Sequence, residues 1–137
     1  MDEQLLDGFL TVNGLRVVGV TEALKLISLG ATLVDVREPY LTAYKKFNVA
    51  SVSFVPLSQL EVMIHQLPKD RILILADSSG NQVREAGRRI EAETVCVFVV
   101  LGGGMVDWER NGGPVLIDKA EELTGSCICQ MRKPKSI

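Results

Sequence analysis

Aromatic residues make up only 5% of this 137-residue chain, so no row of Phe, Tyr and Trp offers a stacking platform for single-stranded nucleic acid. A basic excess is missing as well. Fifteen Lys and Arg against 17 Asp and Glu leave a formal charge of −2, and phosphate contacts along a duplex need the opposite balance. No apolar run approaches the roughly 20 residues that cross a bilayer. The opening Met-Asp-Glu-Gln lacks the basic n-region of a secretory leader. These absences set aside nucleic acid and membrane as partners and make a cytoplasmic protein the default expectation. Cysteine is scarce: Cys96, Cys127 and Cys129 form an odd set that gives no disulfide framework. What is present, 47% apolar and 23% charged residues, suffices to bury one core, so one domain is expected.

The pattern is organised around Ile72-Leu-Ile-Leu-Ala-Asp-Ser-Ser-Gly-Asn-Gln. An apolar run stops at Asp77, a small polar loop follows, and helical spacing begins near Gln82. A strand that enters a helix through a tight loop leaves the loop beside unpaired N–H groups and the positive end of the macrodipole, a place that favours an anion. Gly80 and Asn81 tolerate the positive φ that such a curl needs. The residue at the mouth of this cradle is nevertheless an aspartate.

Elsewhere strands and helices alternate, which argues for a mostly parallel sheet covered on both faces. Residues 1–15, with apolar pairs around Gly8 and an Asn13-Gly14 turn signal, are read as an extension packed on the domain edge. A strand is expected over 16–20, then a helix capped by Thr21 and stopped by Gly30. Residues 31–36 read as a strand buried on both faces, 40–47 as a short helix and 51–55 as a strand. Ser58 is expected to cap a helix that ends at Pro68, and 82–92 is the helix after the central loop. Residues 95–101 read as a core strand holding Cys96 as a buried, inert thiol, before a glycine loop and a short helix. Residues 124–137 form a polar, basic tail.

Four stretches together resemble the rhodanese-homology family. They are Leu33-Val-Asp-Val-Arg-Glu-Pro, Val49-Ala-Ser-Val-Ser-Phe-Val-Pro-Leu-Ser, the central Asp77 stretch, and Val100-Leu-Gly-Gly-Gly-Met-Val-Asp-Trp. They occur in the family's order and at its separations. The resemblance implies an α/β, rhodanese-like domain over 16–123 with a central, mostly parallel five-stranded sheet and helices on both faces. It also implies an active-site loop formed by Asp77, Ser78, Ser79, Gly80, Asn81 and Gln82. Active family members are sulfurtransferases whose loop begins with a cysteine that carries a persulfide. Here Asp77 stands at that position, and a carboxylate cannot carry sulfur. Gln82 stands where an arginine is common, and Asn48 where a histidine is usual. The resemblance therefore implies the fold and an inactive homologue, with no cofactor.

The residues leave several functional readings open. Asp77 accepts hydrogen bonds from its own loop and fills the pocket with its own anion, or it serves as an aspartyl nucleophile toward phosphate. Asp35 and Arg37 are expected to fix the sheet end, and Gly103 to let the backbone pass close to the loop. Arg84 is placed to hold an anion or to pair with Asp77. His65 reads as a helix-surface residue rather than a base. Cys127 and Cys129, beside Arg132, Lys133 and Lys135, form a candidate thiol pair for sulfur or thiol trafficking. The expected partner is a protein, or a small anion or sulfur donor.

Overall fold

Short aliphatic runs, closed by glycine, proline or a charged residue, set the strands of the computed structural model, which describes residues 3–121. In chain order the elements are β1 (Leu10–Val12), β2 (Leu15–Val18), α1 (Val20–Ser28), β3 (Thr32–Asp35), α2 (Pro39–Tyr44), β4 (Lys45–Phe47) and β5 (Val52–Phe54). There follow α3 (Leu60–Met63), β6 (Leu73–Ala76), α4 (Gln82–Glu93), β7 (Phe98–Leu101), α5 (Gly104–Arg110) and β8 (Val115–Ile117). The main sheet runs β1-β2-β7-β6-β3-β5. Five neighbours from β2 to β5 are parallel, the mostly parallel sheet expected from the alternation. A sixth strand, β1, joins antiparallel at the edge, with Leu10 opposite Val17 and Val12 opposite Leu15. Strands β4 and β8 form a separate antiparallel pair.

Both faces of the sheet are apolar because both are covered, so β3 and β6 are buried at every position instead of alternating. One face packs Leu33, Ile74, Ala76 and Leu101 with Ala23 and Leu26 of α1 and with Met105 and Trp108 of α5. The other packs Val34, Leu73, Leu75 and Val100 with Leu60 of α3 and with Val83, Ala86 and Ile90 of α4. Residues before β1 contribute too: Leu6 is fully buried in the first cluster.

The structure corrects several local expectations. Helix α1 starts at Val20, and the exposed Gly19 N–H is satisfied by Glu22 Oε1 at 2.8 Å, so Thr21 lies inside the helix and is not its cap. The helix expected over 40–47 ends at Tyr44. Lys45 turns extended because β4 pairs with β8. Ser58 caps no helix: its hydroxyl donates to Glu38 Oε1 at 2.7 Å, and the segment to Gln66 breaks into a 3-10 turn, α3 and a second 3-10 turn. Strand β7, expected from residue 95, starts at Phe98. The Thr94 hydroxyl takes the Cys96 N–H at 3.2 Å and keeps residues 94–96 out of the ladder, so Cys96 is half-buried, its thiol 3.4 Å from the Pro68 carbonyl oxygen.

Trp108 is fully buried, meets Phe47 edge to face at 5.2 Å and donates from Nε1 to the Pro114 carbonyl at 2.8 Å. Trp108→Ala removes this anchor and leaves a cavity; equilibrium denaturant unfolding is expected to show a loss of about 3–5 kcal/mol.

Candidate functional site

The parallel strands deliver their C-terminal ends to one edge of the sheet, where an open α/β fold places its site. Strand β6 ends at Ala76, and the next residue, Asp77, is 1% exposed. Its carboxylate turns back into its own loop. Oδ1 accepts the Gly80 N–H at 2.5 Å, while Oδ2 accepts Gln82 N–H at 2.6 Å and Val83 N–H at 3.1 Å. Gln82 and Val83 open α4, so their N–H groups are among those a helix leaves without an internal partner. Asp77 thus caps α4 from five residues upstream and meets the positive end of its dipole. Gly80, at φ +94°, supplies the curl.

A second helix starts against the same loop. Met105 and Val106, in the first turn of α5, donate to the Asp77 and Ser78 carbonyls at 2.8 and 3.0 Å. The approach needs bare backbone: a Cβ on Gly104 would lie 2.6 Å from Asp77 Oδ1 and 2.5 Å from the Ser78 carbonyl carbon. One on Gly80 would meet Gly103 N at 3.0 Å. The glycine run therefore passes close to the loop, and Gly104 is the tightest point of it. The sequence signal for this was the triple glycine itself; the two donors of α5 had none, because backbone N–H groups carry no residue identity.

Asp35 and Arg37 lie at the end of β3, 0% and 3% exposed, and pair with each other. Arg37 Nε and Nη2 donate to the two oxygens of Asp35 at 2.9 and 2.8 Å. Nη2 also donates to the Lys45 carbonyl at 2.7 Å, and the guanidinium lies 5.1 Å from the Phe47 ring centroid. Arg37 thereby ties the end of β3 to β4. Arg84 is exposed, and among the described residues no ion pair joins it to Asp77. Ser78 is half-buried, and Ser79, Asn81 and Gln82 are exposed; the Asn81 amide donates to the Ser79 hydroxyl at 3.2 Å. Asn48 and His65 are both exposed. Cys127 and Cys129 lie outside the described residues. Among the described residues no three His, Cys, Asp or Glu side chains come together as a metal site, and no helix is long and apolar enough to cross a membrane.

Solved structures share this architecture. A rhodanese-related protein from Thermoplasma volcanium superposes with a TM-score of 0.67 at 23% identity, over 75% of this chain and 99% of its own. The chain has a rhodanese-like fold. A rhodanese-like domain of an Anabaena protein matches with a TM-score of 0.56 at 21% identity, over 64% of this chain and all of its own. A thiosulfate sulfurtransferase from Pseudomonas aeruginosa matches with a TM-score of 0.63 at 26% identity, over 74% of this chain but 20% of its own length. No protein-family model and no curated protein matches the chain.

Two substitutions test the architecture of this rhodanese-like loop. Gly104→Ala places a methyl group against the Asp77 carboxylate at a φ of +59°, and is expected to cost about 2 kcal/mol or more in unfolding experiments. Arg37→Met leaves the Asp35 carboxylate buried and unpaired, for an expected loss of about 3–5 kcal/mol. Replacing both residues by apolar ones of similar volume is expected to recover much of it.

Proposed function

We propose that the chain is a rhodanese-homology domain that does not transfer sulfur at its loop and acts as a binding or regulatory module. The observation that carries this reading is the self-filled cradle: the Asp77 carboxylate occupies the N–H groups of Gly80, Gln82 and Val83 that an incoming anion would need. Asp77 stands where active relatives of this fold hold their sulfur-carrying cysteine, and a carboxylate oxygen forms no persulfide. Thiosulfate would meet a fixed negative charge at the loop mouth. The same geometry argues against an aspartyl nucleophile. Both carboxylate oxygens are engaged by buried or half-buried donors, so attack on phosphorus would first have to break those hydrogen bonds. The partner proposed is a protein, with the loop contributing rigid structure and no chemistry.

Two measurements test the reading. With thiosulfate and cyanide the protein is expected to form no thiocyanate above the reagent blank, and intact mass after polysulfide treatment is expected to show no added sulfur. Sulfur mapped to Cys127 or Cys129 would move the assignment to thiol trafficking by that pair, and turnover that survives their replacement by serine would sink the proposal. Asp77→Ala is expected to empty the cradle while keeping its donors. Sulfate should then raise the variant's thermal midpoint clearly more than that of the parent protein, whose cradle is already occupied.

A further inference from the structure

On the face of the sheet that carries α4, the helix layer is incomplete. Strands lie about 4.8 Å apart and packed helices 8–10 Å apart, so one helix covers about two strands. Leu60 of α3 and Ile64 after it group with Val34, Val36 and Val55 at the β3–β5 side, and α4 lies over β6 and β7. Helix α4 also reaches Leu15 of β2, which is buried beside Gly87, whereas the edge strand β1 is exposed at every position. Leu10 and Val12 stand opposite Val17 and Leu15 across the β1–β2 ladder and so point to the same face, yet they are 67% and 44% exposed. Beside them runs a groove of 220 Å³ whose lining includes Val12, Val17, Val83 and Val100, with Arg84 on the α4 bank.

Helix α4 puts a charge on that bank at Arg84, and a second arginine follows one turn along the helix. Arg84 and Arg88 are exposed, lie one turn apart on α4, and make no ion pair or hydrogen bond with a described residue, whereas Arg89 has Glu85 at 3.8 Å. Arg84 is the third residue of α4, where the dipole disfavours a cation, and the like charge four residues on adds to that cost. Carboxylates from outside would relieve both.

We propose that this groove docks an amphipathic helix of a partner protein, laying an apolar stripe on Leu10, Val12 and Val17 and glutamates or aspartates beside Arg84 and Arg88. The inference rests on the reading of the chain as a binding module and names the face used and the class of partner. The chain's own residues 122–137 are a poor occupant, since Glu122 is outweighed by Arg132, Lys133 and Lys135. A second copy set face to face would bring Arg84 and Arg88 toward their own counterparts. Helix α4 has 12 residues, about 18 Å, so three to four turns of partner helix match its length.

The test titrates the full chain, followed by backbone amide NMR, with two synthetic 15-residue helical peptides. Both carry leucines at i, i+3, i+4 and i+7; one has glutamates along the flank of the stripe and the other lysines. The acidic peptide is expected to shift the amides of Leu10, Val12, Arg84 and Arg88 saturably, at least tenfold more tightly than the basic one. Arg84→Glu with Arg88→Glu should reverse that order, and Leu10→Asp should weaken binding of the acidic peptide tenfold or more. Equal binding of the two peptides, or no shift at these positions at millimolar peptide, overturns the proposal. So does a concentration-dependent dimer that Leu10→Asp dissolves. Shifts confined to Gly80, Asn81 and Gln82 overturn the groove and leave the module reading standing, while sulfur transfer by the loop would sink that reading without moving any of these amides.

Discussion

The hydrogen bonds that the Asp77 carboxylate accepts from Gly80, Gln82 and Val83 are the constraint on which the site depends. A buried carboxylate is costly unless its oxygens are satisfied, and a helix N-terminus is costly unless its N–H groups are. Each deficit here satisfies the other. The loop must then curl tightly enough for residue 77 to reach residues 80, 82 and 83. That curl exposes the Asp77 and Ser78 carbonyls to α5, whose first-turn N–H groups take them. Two helices on opposite faces of the sheet thus begin on one six-residue loop, and glycine at position 104 is what lets the second come near enough.

The ionisable groups at this end of the sheet resolve into closed local circuits. Arg37 spends its donors on Asp35 and the Lys45 carbonyl and rests against Phe47, which in turn meets Trp108. Asp77 is balanced by backbone dipoles and not by a guanidinium. A buried ion pair adds little net stability over an apolar replacement, but it fixes geometry: the Asp35–Arg37 fork ties the end of β3 to the β4–β8 ribbon. Asp35, Arg37 and Asp77 are committed to these circuits, whereas Arg84, in the first turn of α4, has no ion pair among the described residues.

Much of this was legible in the sequence. The abrupt end of the apolar run at Asp77, the curl at Gly80 and the triple glycine before Trp108 are local signals that the structure uses, whereas Asn81, expected to share the positive φ, sits at φ −89° as the first step into α4. Asp35 and Arg37 were legible as partners because they lie two positions apart, with only Val36 between them, at a strand end. What escaped depends on distant pairing. The break of the expected 40–47 helix into α2 and β4 is set by β8, some 70 residues away, and the late start of β7 is set by a Thr94 hydroxyl acting on Cys96. Of the two partners the sequence left open for Asp77, its own loop and Arg84, the carboxylate takes the loop: the N–H groups of Gly80, Gln82 and Val83.

The filled loop and the open groove are mechanically related. Asp77 holds the N–H groups of Gln82 and Val83, and the residue that follows them is Arg84. The first turn of α4 is therefore fixed in position and direction by the same carboxylate that fills the loop, and Gly80 belongs to both the loop and the groove. An aspartate at this position does two things that an emptied or ligand-dependent cradle would not. It caps the N–H groups of Gln82 and Val83, and it fixes the backbone that leads directly into Arg84 beside an apolar floor. In the proposed reading as a binding module, a helix end capped in this way is preorganised before a partner arrives, which lowers the ordering cost of binding. In that proposed reading the closed loop and the capped flank are one structural feature.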